Sequence, residues 1–181
     1  MNRRNFVGAL GAVTAAFNFV RPARAAASSA EARLRELGIV LPEAPGPAAV
    51  YVPFRKTGNM VFIAGQIPPM DAGIPTVGKV GAELTAEQGY AAARLVGLRI
   101  LAQLKAACDG DLDRVVQALQ IRGFVNCTAD FTAQPSVING VSDLLREVFG
   151  DAGLAARAAL GTNVLPLNAA VEVESIFEIR Q

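Results

Sequence analysis

The stretch 153-GLAARAALGTNVLPLNAAVEVESIFEI-179 decides the fold. From Ala158 to Val164 it is small and apolar, Pro166-Leu167-Asn168 breaks the run, and residues 170–179 alternate polar with apolar. That pattern predicts two strands joined by a turn and paired as a hairpin. Two charges stand out. Arg157 opens the first strand with only alanine, leucine and glycine within four residues, and Glu172 lies on the second. In Val171-Glu172-Val173-Glu174 the two glutamates share one face and the two valines the other. A guanidinium can hold a carboxylate by two parallel hydrogen bonds, and a carboxylate can orient or deprotonate a water. Surface charges, or a weak ion pair at a sheet edge, would give the same spacing.

The chain has 181 residues, enough for one domain with a sizeable core. Its net charge is +1, but residues 1–25 hold four arginines and no acid. Without them 13 basic residues face 16 acidic ones, a balance of −3. A mildly acidic domain has no electrostatic footprint for nucleic acid. Histidine is absent, which excludes a His-based triad, a His-ligated zinc and a His general base. Together these features argue against ribonuclease chemistry. The two cysteines, Cys108 and Cys127, are too few and too far apart for a metal cluster.

Residues 1–25 read as an address. Arg3-Arg4 precedes an apolar run over 6–20, and Ala23-Arg24-Ala25 supplies small residues for cleavage. The arginine pair points to twin-arginine export, hence a periplasmic or exported protein without stable membrane association once the leader is cleaved near Ala26. The alternative is an uncleaved anchor, although the run falls short of the ~20 residues a membrane span needs. In that compartment Cys108 and Cys127 could pair. Their expected places, a helix end and a strand, favour two buried free thiols.

After the leader, Ser28 and Glu31 form a capping box that opens a short helix to Leu37, stopped by Gly38. Prolines 42, 45 and 47 keep the next segment extended. A turn at Gly58-Asn59 leads into 60–65, whose unbroken apolar run predicts a fully buried strand. Thr85 and Gln88 cap a long helix to about Ala107, with Leu95, Leu98, Leu101 and Leu104 as its apolar line. A helical turn, a strand over 116–126 and a loop follow. Pro135 opens a second long helix ending at Phe149, with Val137, Val141, Leu144, Leu145 and Val148 inward. The order implies an α+β domain, a mixed sheet with two helices on one face. The expected divisions are the leader (1–25), a helical extension (26–41) and the domain (42–181).

Several strings, in order, resemble the YjgF/YER057c/UK114 family, also called RidA. Ala44-Pro45 through Tyr51 is similar to its N-terminal segment. Ala64-Gly65-Gln66-Ile67-Pro68 resembles its SGQIP strand end, and Val137-Ile138-Asn139 its helix-borne VN. Ala155-Ala156-Arg157, Leu165-Pro166 and Val171-Glu172-Val173-Glu174 resemble its PAR…LP…(V/I)E(V/I)E signature. The resemblance covers about 42–179 and departs from the pattern at Ala64, Ala156 and Ala159, where the family carries serine, proline and often cysteine.

This resemblance implies a chorismate-mutase-like fold and a homotrimer with a cleft at each subunit contact. It implies hydrolysis of enamine or imine intermediates to 2-keto acids and ammonia, without cofactor or metal. Arg157 would clamp the carboxylate of a small substrate and Glu172 would hold the attacking water, the two facing a shared hollow between protomers. Tyr51 would line the pocket from the neighbouring subunit, Asn139 would support it, Gly65 would admit the ligand to the backbone, and the backbone at Ala159 would hold a water. The apolar substitutions and the leader leave an alternative, a non-catalytic periplasmic binder of small carboxylates.

Overall fold

A computed structural model describes residues 29–47 and 49–181. The leader, the cleavage positions and Ser28 lie outside the described residues. Among the described residues three α-helices and five strands follow the chain order α1 (Ala30–Glu36), β1 (Phe54–Thr57), β2 (Met60–Gln66), α2 (Ala86–Ala107), β3 (Val115–Asn126), α3 (Gln134–Phe149), β4 (Ala156–Thr162) and β5 (Val171–Ile179). The sheet order is β1-β2-β5-β3-β4.

That order corrects the expected hairpin. β4 and β5 are not neighbours, because β3 lies between them, parallel to β4 and antiparallel to β5. Parallel strands need a long crossover connection. Here α3 is the crossover, and it packs on β3 and β4.

Alternation in β5 is strict. Val171, Val173, Ser175, Phe177 and Ile179 are buried toward the helices, and the residues between them are half-buried on the other face. β2 behaves alike, so the fully buried strand expected over 60–65 is buried on one face only. Val61 and Ile63 are covered while Phe62 is 39% exposed. An uninterrupted apolar run cannot distinguish a two-sided core strand from one whose outer face stays open.

The core lies between the sheet and α2 and α3, with Val61, Ile100, Leu104, Ile121, Leu144 and Phe177 fully buried. Thr85 and Gln88 form the expected capping box of α2. Leu101 and Leu104 are buried as expected, but the rest of its inward face is built on Ala92, Ala93, Val96, Gly97 and Ile100, whereas Leu95 and Leu98 are half-buried. Small residues win there because α2 and α3 pack closely. A Cβ added at Gly140 would overlap the Tyr90 carbonyl oxygen, and one added at Gly97 would press on Leu144. Gly150 ends α3 at φ 61°.

The α1 cap is also corrected. Ser29, not Ser28, is the N-cap, accepting from the Ala32 N–H at 3.2 Å. Glu31 does not close a box. Its carboxylate pairs with Lys105 at 2.9 Å and accepts from the Leu112 N–H, docking α1 on the domain. Buried Gln103 donates to the Pro45 carbonyl and ties the proline-rich segment across α2. Cys108 and Cys127 are buried free thiols, and burial pushes the Cys108 thiol above its usual range.

Because the α2–α3 contact holds α3 over β4, Gly140→Ala should lower stability by about 1–3 kcal/mol through overpacking against the α2 backbone. Urea denaturation followed by circular dichroism measures it. A midpoint equal to the parent's would show that the two helices can part at no cost.

Candidate functional site

Two separate groups of side chains emerge from this frame. The first is at the sheet edge under α3. In β4 the residue aligned with Arg157 is Ile121 of β3, whose side chain is buried on the helix side. Arg157 therefore points to that side, as does Ala159 two residues on. Its Nη1 donates to Asn139 Oδ1 at 2.7 Å and to Ser142 Oγ at 3.0 Å. Asn139 and Ser142 are three apart on α3 and so share a helix face. Arg157 Nε and Nη2 have no acceptor among the described residues, and no carboxylate pairs with this exposed guanidinium.

The second group lies on the opposite, helix-free face. Between β2 and β5 the pairing steps from Ile63↔Ser175 to Gln66↔Val173, so Ala64 and Gly65 together oppose Glu174. This β-bulge re-aims the end of β2 and lays Gly65 against Glu172. A Cβ at Gly65 would overlap Glu172 Oε1. The glycine is needed for that close approach. Glu172 is half-buried and has no hydrogen-bond or ion-pair partner among the described residues. Burial, and secondarily the Glu174 carboxylate, push its carboxyl above the ordinary carboxylate range. Glu174 is held by Arg122 at 3.0 Å. A groove of about 290 Å³ opens on this face, walled by Arg55, Phe62, Ala64, Gln120, Arg122 and Glu174.

The fold thus joins Arg157 with Asn139 and Ala159, and Glu172 with Gly65. Within one protomer it does not join Arg157 with Glu172, since the two project from opposite faces of the sheet with β3 between their strands. Tyr51 is exposed ahead of β1, within electrostatic reach of Arg99 on α2. Ser142 escaped the sequence reading, and only its position three residues after Asn139 on the polar side of α3 could have pointed to it. A further cavity of about 600 Å³ at the far end of β4 is walled by Lys79, Cys127, Gln134 and Gly161. Lys79 is already engaged there, donating to Asn126 Oδ1 and to the Asn163 carbonyl, and it ties the loops together.

What the site can do follows from its charges. The guanidinium offers an open hydrogen-bonding edge to a small acid. The unpartnered, partly dehydrated carboxyl is poised to hold or deprotonate a water.

Residues 31–179 match the family model described as "YjgF/chorismate mutase-like, putative endoribonuclease". Protein TCP17 of Trypanosoma cruzi is 44% identical over 149 residues, covering 82% of this chain and 92% of that protein. The structure of Atu1372 from Agrobacterium tumefaciens, described as of unknown function, is 42% identical with a TM-score of 0.76, covering 83% of this chain and 92% of that one. A protein from Shewanella oneidensis that carries the same endoribonuclease description is 36% identical with a TM-score of 0.78, covering 83% and 99%.

Burial disfavours the charged form of Glu172, so its contribution to stability is present at low pH and lost as pH rises through the raised pKa. Glu172→Gln should therefore melt at or above the parent temperature at pH 7, with that advantage vanishing near pH 4. Thermal denaturation across pH 4–8 checks this. A neutral-pH loss of stability would mean that the ionised carboxylate has a structural partner.

Proposed function

The chain belongs to the YjgF/chorismate mutase-like family, the RidA family that its motifs resemble, and from that premise we propose that it hydrolyses enamine or imine forms of small carboxylated molecules to 2-keto acids and ammonia. The observation that carries the reading is the half-buried Glu172 carboxyl, left without a protein partner beside a glycine that makes room for it. In this reading Arg157 of one protomer, held by Asn139, binds the substrate carboxylate, and Glu172 of the next protomer holds the water beside Gly65. Their location on opposite faces supports a site completed between copies. So do the open sheet face and its exposed Phe62 and Leu160.

The chemistry needs no strong nucleophile. An enamine first takes a proton on carbon to become the imine. Glu172 accepts a proton as the water oxygen bonds to the C=N carbon and passes it to nitrogen, giving a carbinolamine. It then takes the proton of the new hydroxyl and passes it to nitrogen as the C–N bond breaks, so that ammonia leaves with the carbonyl formed. Imine and water are consumed; keto acid and ammonia are produced. Arg157 keeps the carboxylate and therefore the adjacent carbon in line with that water, a task for which lysine lacks the planar fork. The endoribonuclease description of the relatives lacks comparable support in this chain, which has no histidine.

Purified protein is mixed with 2-imino acid generated by an amino-acid oxidase, and ammonia and keto-acid release are followed. Arg157→Ala and Glu172→Gln should each lower kcat/KM by about 100-fold or more. Unfolding and refolding the two variants together should restore part of the activity, since mixed assemblies contain contacts with both groups intact. No acceleration over buffer by the parent overturns the proposal. Pyruvate binding without turnover would instead favour the small-carboxylate binder. Failure of the mixed variants to regain activity removes the shared site.

The proposal includes the leader: residues 1–25 send the protein through the twin-arginine route to the periplasm. Expressed in a Gram-negative host, the periplasmic protein should begin near Ala26 by mass spectrometry. Full-length protein confined to the cytoplasm would rule this out.

A further inference from the structure

Ser142 stands nearly one helical turn after Asn139, and the two accept from the same nitrogen of Arg157, at 3.0 and 2.7 Å. A guanidinium carries five N–H groups in one plane: two on Nη1, two on Nη2 and one on Nε. Asn139 and Ser142 occupy the two on Nη1. The remaining three have no acceptor among the described residues. Nη1 lies on the Cδ side of the group, so the Nε and Nη2 hydrogens point the same way along the opposite edge. Those two parallel donors match the spacing of two carboxylate oxygens. The end-on approach, between Nη1 and Nη2, is obstructed because Nη1 is already committed to α3.

An exposed arginine on an edge strand ordinarily samples many rotamers, and ordering it on binding weakens affinity. Here α3 has already ordered it. Asn139 alone would leave the plane free to swing about one hydrogen bond. A second acceptor three residues along the helix fixes its tilt. The helix itself is fixed by the close α2–α3 contact at Gly140, adjacent in sequence to Asn139.

We propose that Ser142 is a positioning residue, holding Arg157 so that the Nε–Nη2 edge alone is presented to the substrate carboxylate. This rests on the carboxylate-binding reading above and adds two things to it: the role of Ser142 and the edge of the guanidinium that binds. Selectivity follows. A planar acid with two acceptor oxygens satisfies both donors. A carboxamide sets its NH2 group against one of them and is rejected.

The test combines two readouts on the parent, Ser142→Ala and Ser142→Thr. Rotation of the Arg157 guanidinium is read from exchange of its ¹⁵N-labelled Nη groups by NMR, without ligand. Pyruvate and pyruvamide are titrated by calorimetry. The parent should show restricted rotation, bind pyruvate and discriminate against pyruvamide. Ser142→Ala should free the rotation and weaken pyruvate binding about 10-fold, as expected for losing one hydrogen bond to a charged group. KM for the imine should rise with it, while kcat changes by less than about twofold. Ser142→Thr, which keeps the hydroxyl, should return both readouts toward the parent, a rescue that a merely structural role would not predict. Unchanged rotation and unchanged pyruvate affinity in Ser142→Ala overturn the role of Ser142. Failure of the parent to bind pyruvate overturns the carboxylate reading itself, and the inference falls with it.

Discussion

Parallel pairing of β4 with β3 is the constraint from which the arrangement of charged groups follows. Two parallel neighbours cannot be joined by a tight turn, so the chain must leave the sheet, cross over it and return. α3 is that crossing, and its apolar stripe obliges it to lie on the sheet face it crosses. β4 then becomes the edge strand beside α3, and an arginine at its start meets the helix's polar flank. β5, on the other side of β3, alternates between core and open face, so Glu172 is turned away from α3. The small residues of α2 belong to the same constraint, because they let α3 approach closely enough to hold its place.

This separation preserves the chemistry of both groups. An ion pair between Arg157 and Glu172 on one face would contribute little to stability and would leave neither group open to a ligand. Held apart, the guanidinium keeps an open edge and the carboxyl keeps its lone pairs. Leaving a half-buried carboxyl without a partner opposes folding, since dehydration penalises its charged form. The upward push on the Glu172 pKa is the signature of that unfavourable term. Nearby Glu174 shows the alternative, because Arg122 supplies it with a partner and ties it into the surface. Two glutamates two residues apart on one strand thus have different surroundings, a difference no inspection of VEVE could supply.

Legibility in the sequence followed the range of the physics involved. Helix ends depend on neighbours within four residues, and Thr85, Gln88, Gly38 and Gly150 marked them. Face alternation is equally local, so the two sides of β5 were readable. Strand order is not local. The pairing of 156–162 with 120–126 is enforced by a helix between them, and a turn signal at Pro166 suggested a hairpin instead. Of the α2 leucines, Leu101 and Leu104 are buried as expected, whereas Leu95 and Leu98 misled for a related reason: residue size reports hydrophobicity, whereas close helix contact selects for smallness. At the site, Arg157 and Glu172 stood out as charges in apolar and alternating runs, whereas Asn139 and Gly65 came from motif resemblance. Ser142 and the Gly65–Glu172 contact required the helix to be laid on the strand and the bulge to be formed.

Location on opposite faces also bears on how copies would associate in the proposed reading. A two-fold dimer places one patch against itself, so every group in its contact must belong to a single surface. Arg157 and Glu172 do not share one. A contact that unites them sets the α3–β4 edge of one protomer against the open sheet face of another, and each protomer is left with its other half exposed. Repeating the same contact satisfies both halves only when the series closes into a ring. On the proposed reading a trimer would be the smallest such ring, and in it every site would be complete. Dissociation would then abolish activity while leaving each protomer's core intact, because Phe177, Leu144 and Ile121 are buried within the single chain. Activity and folding would respond to dilution differently, the first through the association equilibrium and the second through intrachain packing alone.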